Sequence, residues 1–230
     1  MATRSEARAL IEKAWRTRGE ALQSPPSDAG GAEAAAAVET TASVAASVEA
    51  DLVRACEICE QIGARRELSI ALGKLAHVAL DRSQADKARS LLEDAVAAAT
   101  AVGDPLRVAH AVRHLGQVHH RQGRWDQAEA CYREALDLYG QAAGASPLDH
   151  ANALRPMAML LEDRGDMEEA VGVWGEAARL YRVAGVTAGV EECEARLEEL
   201  EDIDDLKRIR HEPTRPLADV IRELQLDGTL

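Results

Sequence analysis

Apolar residues recur along most of this chain at the three-and-four spacing of helices, with hardly any of the strict alternation that a half-buried strand requires. Three stretches carry one and the same pattern. They open as "SIALGKLAHVAL" at Ser69, "AHAVRHLGQVHH" at Ala109 and "ANALRPMAMLLE" at Ala151, 40 and 42 residues apart. In a first helix, Leu75, Leu115 and Met157 are large apolar groups, each followed by a small residue, Ala76, Gly116 and Ala158. Ser83, Gly123 and Gly165 mark a turn, where glycine tolerates the left-handed conformation that ends a helix. A second helix follows, with small residues at Ala88, Ala128 and Ala170, bulky ones at Leu92, Tyr132 and Trp174, and small ones again at Ala95, Ala135 and Ala177. Asp104-Pro105 and Ser146-Pro147 place a capping residue ahead of a proline, as a helix start prefers. Pro156 is the exception, since it should kink the first helix of the third copy or delay its start.

The flanks fit the same frame. In "ADLVRACEICEQIG", Leu52, Ala55 and Gly63 fall 40 residues before Leu92, Ala95 and Gly103, so the Ala-rich run from Ala32 predicts one long helix ending near Ile62. Before it, "TRSEARALIEKAWRTRGEAL" has Thr3 and Glu6 at capping-box spacing and then apolar residues at helical period. Residues 1–63 are therefore expected to form a divergent hairpin with a Pro/Gly loop at 24–31, and residues 64–187 three repeats. Val190, Cys193, Leu197 and Leu200 begin a further helix whose other faces are acidic, which suits a capping helix over 188–211. The tail 212–230 predicts a short amphipathic helix at 217–226, with Leu217, Val220, Ile221 and Leu224 on one face. It has to dock on the array itself, the preferred reading, or on a partner.

Composition narrows the picture. Phe is absent, aromatics make up 3%, and alanine dominates the apolar residues, as suits closely packed helices. The formal net charge of −13 argues against a nucleic-acid partner, which requires a basic face. No apolar run approaches the roughly 20 residues of a membrane span, and the N-terminus lacks a signal-peptide core. Four cysteines inside helical patterns suit a reducing cytoplasm, and the richness in Ala, Arg, Gly and Glu suits a high-GC bacterium.

The large-small pattern, the turn and the small-x3-large-x2-small pattern resemble the tetratricopeptide repeat (TPR). They do so most clearly in "LGQVHHRQGRWDQAEACYREAL" and "MAMLLEDRGDMEEAVGVWGEAARLY". The period exceeds the usual ~34 residues, so each helix should be about a turn longer, as in the repeats of kinesin light chains and many bacterial TPR regulators. The resemblance covers about residues 69–185. It implies an all-α fold, a right-handed superhelical solenoid of antiparallel helix hairpins, and a non-catalytic scaffold that presents a concave groove to a protein or peptide. The alternatives are a peptide-sensing regulator and, more remotely, a metal-dependent enzyme built on a histidine cluster.

That cluster is "HAVRHLGQVHH", residues 110–120, with four of the chain's seven histidines. At 100° per residue, Arg113, His114, Gln117 and His120 fall within about 80° of His110, while His119 falls on the packed face with Val112 and Leu115. By the resemblance, the first helices line the groove. Its expected contacts are His110, Arg113, His114, Gln117 and His120 in the second repeat, Asn152, Arg155 and Met159 in the third, and Ile70, Gly73 and His77 in the first. Arginine offers paired hydrogen bonds to carboxylates, so an acidic or carboxylate-bearing segment is the expected partner. His110 and His114 have a zinc-ligand spacing, but Ala111 stands where a metalloprotease helix has Glu and no third ligand is evident, so no metal or cofactor is expected. "CEIC" at Cys56–Cys59 lies within a helix with no strand before it. It reads as one core and one partly exposed thiol rather than a redox pair. Trp125, Trp174, Tyr132, Tyr139 and Tyr181 read as core knobs or turn packing.

Overall fold

Helix starts fall where the capping chemistry places them. The Asp104 side chain accepts the Arg107 backbone N–H, and Ser146 with Asp149 closes a capping box, each immediately ahead of a proline. Thr3 Oγ1 likewise accepts the Glu6 backbone N–H at 3.2 Å. The computed structural model describes residues 2–23, 32–211, 221–222 and 225; the expected loop at 24–31 and most of the tail at 212–230, with its helix at 217–226, lie outside them. Among the described residues the regular structure is helical throughout: α1 (Arg4–Gln23), α2 (Ala32–Gln61), α3 (Arg65–Asp81), α4 (Ala85–Ala101), α5 (Pro105–Arg121), α6 (Trp125–Gln141), α7 (Pro147–Arg164), α8 (Met167–Ala184) and α9 (Thr187–His211). None of these helices is long and apolar enough to cross a membrane.

Neighbours in sequence pack as hairpins, α1 with α2, α3 with α4, α5 with α6 and α7 with α8, and α9 lies against α8. The first helices also touch in succession, α1 to α3, α3 to α5 and α5 to α7, whereas the second helices make no comparable contacts with one another. First helices therefore form the inner layer and second helices the outer one, the arrangement of a curved α-solenoid.

The core is built from small residues against a few knobs. Leu92, Tyr132 and Trp174 are buried at equivalent positions of the three repeats, flanked by the fully buried Ala88, Ala128 and Ala170. Gly116 shows why small residues are needed, since a Cβ there would sit 2.6 Å from Tyr132 Cε1. The turns carry positive φ at Gly123 and Gly165, and at Ser83 (φ 58°), where no glycine relieves the strain. On α9, Cys193 and Leu200 are buried and Val190 and Leu197 half-buried, while Glu191, Glu192, Glu194 and Glu198 are exposed.

Four sequence expectations need correction. α7 runs unbroken through Pro156 from Pro147, so the proline delays nothing. His119 is half-buried rather than a core filler, and its Nδ1 has no hydrogen-bond partner. Trp125 opens α6 and is 41% exposed, because the first turn of an outer helix has no neighbour on its solvent side. Cys56 and Cys59 are both buried, since α2 is covered by α1 on one side and α3 on the other. Burial pushes the Cys56 thiol up to about 12, the wrong direction for a nucleophile or a ready redox partner.

Candidate functional site: the inner face

The inner layer gathers the residues that helical geometry singles out. His77 on α3 and His114 on α5 meet edge to face, with ring centroids 4.3 Å apart. Trp15 of α1 lies beyond them, its ring 5.7 Å from His77. These three, with Ser69, Ile70, Gly73, Lys74, Arg107 and His110, surround a cavity of about 180 Å3 that spans α1, α3 and α5.

His114 is held as a neutral imidazole. The Arg113 guanidinium, which only donates, stands 2.9 Å from His114 Nε2, so that nitrogen accepts. The proton therefore sits on Nδ1, which donates to Gln117 Oε1 at 2.9 Å. Burial, reinforced by the Arg113 charge, holds the His114 pKa well below the ordinary range. Both ring nitrogens are thus engaged within the chain, and neither offers a lone pair for a metal. Among the described residues no group of three His, Cys, Asp or Glu side chains is arranged to hold one. His77 is pushed down to about 4 by burial, with the nearby charges of Arg18 and Arg113 adding to it.

Arg113 has a structural partner that the sequence hides. Pro156 has no N–H, so the Asn152 carbonyl, four residues earlier, loses its donor within α7. Arg113 Nη1 reaches across from α5 and donates to that carbonyl at 3.1 Å. The Asn152 side chain is occupied as well, its Oδ1 accepting from the Tyr181 hydroxyl at 2.8 Å. Farther along, Arg155 pairs with Glu192 of α9 and His120 Nε2 with Asp163 at 2.7 Å. Met159 is 44% exposed and lies apart from the cavity. The expected residues therefore separate into two groups. His77, His110 and His114 share the cavity, with Gln117 holding the His114 ring and His110 also reaching Asp149 of α7 at 3.4 Å, whereas Asn152, Arg155, His120 and Arg113 tie helices together.

Among the cavity residues that sequence reading missed, Trp15, Lys74 and Arg107 carry its charge and its aromatic wall. Lys74 was legible, because it is the repeat equivalent of His114, 40 residues earlier. Arg107 lies one turn before His110 on the same face of α5. Trp15 belongs to the divergent first hairpin and has no aligned counterpart. Lys74 Nζ stands 3.7 Å from the centroid of the Trp15 ring, a cation–π contact, and Arg18 Cζ stands 4.7 Å from it. Burial, then the charges of Arg107 and Arg18, bring the Lys74 ammonium down to about 8.

Comparison with known proteins agrees with this architecture. The tetratricopeptide repeat family model matches residues 52–145. A solved Podosopora anserina protein described as kinesin light chain nearly identical TPR-like repeats is similar in fold, with TM-score 0.57 at 14% identity, covering 87% of this chain and 97% of that one. A second structure of that protein, carrying a single substitution, gives 0.56 at 12% identity, covering 88% and 99%. BtubC (BKLC) from P. vanneervenii gives 0.49 at 17% identity, covering 91% and 94%. No curated protein sequence matches the chain. The hairpins of residues 52–145 are tetratricopeptide repeats, and the array that contains them is an all-α TPR-like solenoid.

Proposed function

We propose that this protein is a non-catalytic scaffold whose inner face receives a segment of a protein or peptide partner. Tetratricopeptide repeats generally mediate protein–protein interaction, and here the first helices bring a polar, histidine-rich surface onto one face. The observation that carries the proposal is the open cavity between α1, α3 and α5, which presents cationic and neutral donors on a chain of net charge −13. That chemistry favours an acidic or carboxylate-bearing segment.

Among the described residues, two candidate groups for chemistry are not poised for it. His114 is fixed between Arg113 and Gln117 and the buried thiols are protonated. The test is selection of peptides from a random display library on the immobilised chain, followed by titration of the winners. Acidic peptides should dominate, and His110→Asp should weaken them at least about tenfold by setting a carboxylate against a carboxylate. Glu134→Lys on exposed α6 should leave affinity unchanged. Selection of basic or purely apolar peptides, or equal loss in both variants, would overturn the proposal.

A further inference from the structure

Lys74 and Arg107 both line the cavity, and among the described residues neither side chain forms an ion pair with a carboxylate. The chain has 40 acidic side chains and pairs many surface cations with them, yet none lines this cavity. Arg18 beside Trp15 is matched by Asp81 at 2.8 Å, and Arg66 near the start of α3 by Asp104 at 3.1 Å. His77 is neutral at physiological pH, so it adds a polar edge without adding charge. Ser69 adds a hydroxyl and His114 a ring already engaged within the chain, while Ile70, Gly73, Leu92 and Ala111 are apolar or bare. The cavity therefore holds two positive charges, with Arg107 near enough to disfavour the Lys74 ammonium, and the Asp149 carboxylate at its edge engages His110 at 3.4 Å rather than either cation.

From this charge count we infer that the cavity of Trp15, Lys74, Arg107 and His110 is a subsite for a doubly charged oxyanion, a phosphomonoester carried on a residue of the partner segment. The inference rests on the scaffold reading above and specifies what one position of the bound segment carries. A single carboxylate would match one cation and leave the other half-buried without a counter-charge. A phosphomonoester carries between one and a half and two negative charges near neutral pH and offers three acceptor oxygens. Arg107 supplies a planar pair of donors to two of these oxygens, and Lys74 a point charge to the third. The Trp15 ring holds the Lys74 ammonium at the cavity wall, so the cation is in place before a ligand arrives. A volume of about 180 Å3 suits one phosphorylated side chain better than a nucleotide.

The test uses the full chain and three small probes: N-acetyl-O-phosphoserine amide, N-acetyl-glutamate amide and inorganic phosphate. Titrations at pH 7.2 follow the three tryptophan indole resonances in 1H–15N spectra, with Trp15 assigned from its loss in Trp15→Phe. The phosphoserine amide should shift the Trp15 resonance saturably while leaving those of Trp125 and Trp174 in place. It should bind at least about tenfold tighter than the glutamate amide, and Lys74→Met or Arg107→Gln should each remove about tenfold or more. Both variants keep most of the side-chain volume, and their unshifted Trp174 resonance reports an intact core. Equal binding of the glutamate amide overturns the double-charge requirement. Inorganic phosphate binding as tightly as the phosphoserine amide overturns a residue-borne ligand in favour of the free ion. Unchanged affinity in Lys74→Met and Arg107→Gln overturns the site. No Trp15 shift with any probe also overturns it, and in that case peptides selected by display would still decide the scaffold reading independently.

Discussion

The two halves of the inner face are built from similar residue types and differ in what their cations do. In the C-terminal half, Arg113 donates to the carbonyl that Pro156 leaves without a donor, Arg155 pairs with Glu192, and Arg196 of α9 pairs with Glu162 of α7. Those arginines join repeats and the capping helix. In the N-terminal half, Lys74 and Arg107 stand at an open cavity with no acid between them. Charge on a helical surface thus identifies a binding face only after internal partners have been subtracted. In this chain the subtraction moves the candidate site from the third repeat toward the first.

The Arg113 link is the strongest way to break that contrast. Arg113→Met should destabilise the fold by about 1–3 kcal/mol, the cost of stranding a polar group, read from the urea midpoint. In a Pro156→Ala background the same substitution should cost markedly less, because an alanine there restores the N–H that the Asn152 carbonyl lacks. Additive losses in the double-mutant cycle would show that Arg113 does not serve this carbonyl. By contrast, Lys74→Met should cost no more than about 0.5–1 kcal/mol, since it loses only the cation–π contact with Trp15, which the thioether partly replaces, and no ion pair.

Gly116 lies on α5, the helix shared by both halves. Gly116→Ala should cost about 1–3 kcal/mol by forcing the Tyr132 ring to move, whereas Gly73→Ala, with open space around it, should be neutral or slightly stabilising. Comparable losses at the two glycines would contradict the close approach seen at Tyr132.

The histidines give the contrast a pH signature. His77 and His114 have folded-state pKa values below their unfolded value of about 6.5, so the unfolded chain binds the extra protons between those limits. Stability from these two groups is complete above about pH 6.5 and is lost progressively as pH falls below it, for His77 through about 4. His77→Gln should make the stability profile shallower between pH 6.5 and 4.5, by up to about 1.4 kcal/mol per pH unit. An unchanged slope in denaturant titrations at several pH values would contradict the burial of His77.

The smallest expected effect separates the turns. Ser83 takes the left-handed conformation that glycine takes at the equivalent Gly123 and Gly165. Ser83→Gly should stabilise by about 0.5–1 kcal/mol in thermal or urea unfolding, and Gly165→Ala should destabilise by a similar amount or more.

Much of the fold was legible in the sequence because it depends on local and periodic rules. The 40- and 42-residue spacing, the Asp104-Pro105 and Ser146-Pro147 starts and the Tyr132 and Trp174 knobs each follow from helix geometry and capping within one repeat. Helical angle placed His110 and His114 on a common face, the repeat resemblance added His77, and the structure seats all three at one cavity. What periodicity cannot supply is the partner of a long polar side chain. Nothing near Arg113 in sequence indicates that Pro156, 43 residues later, leaves a carbonyl for it, because that carbonyl lies on the next first helix. Nor does α1 show by itself that Trp15 will stand against Lys74, since that contact arises only when successive hairpins stack. The sequence by itself determined the helices, their hairpins and the face they share, through spacing and caps. Only the tertiary structure decided which charges on that face are neutralised within the chain and which remain to meet a ligand, because ion pairing between repeats depends on distances that stacking alone sets.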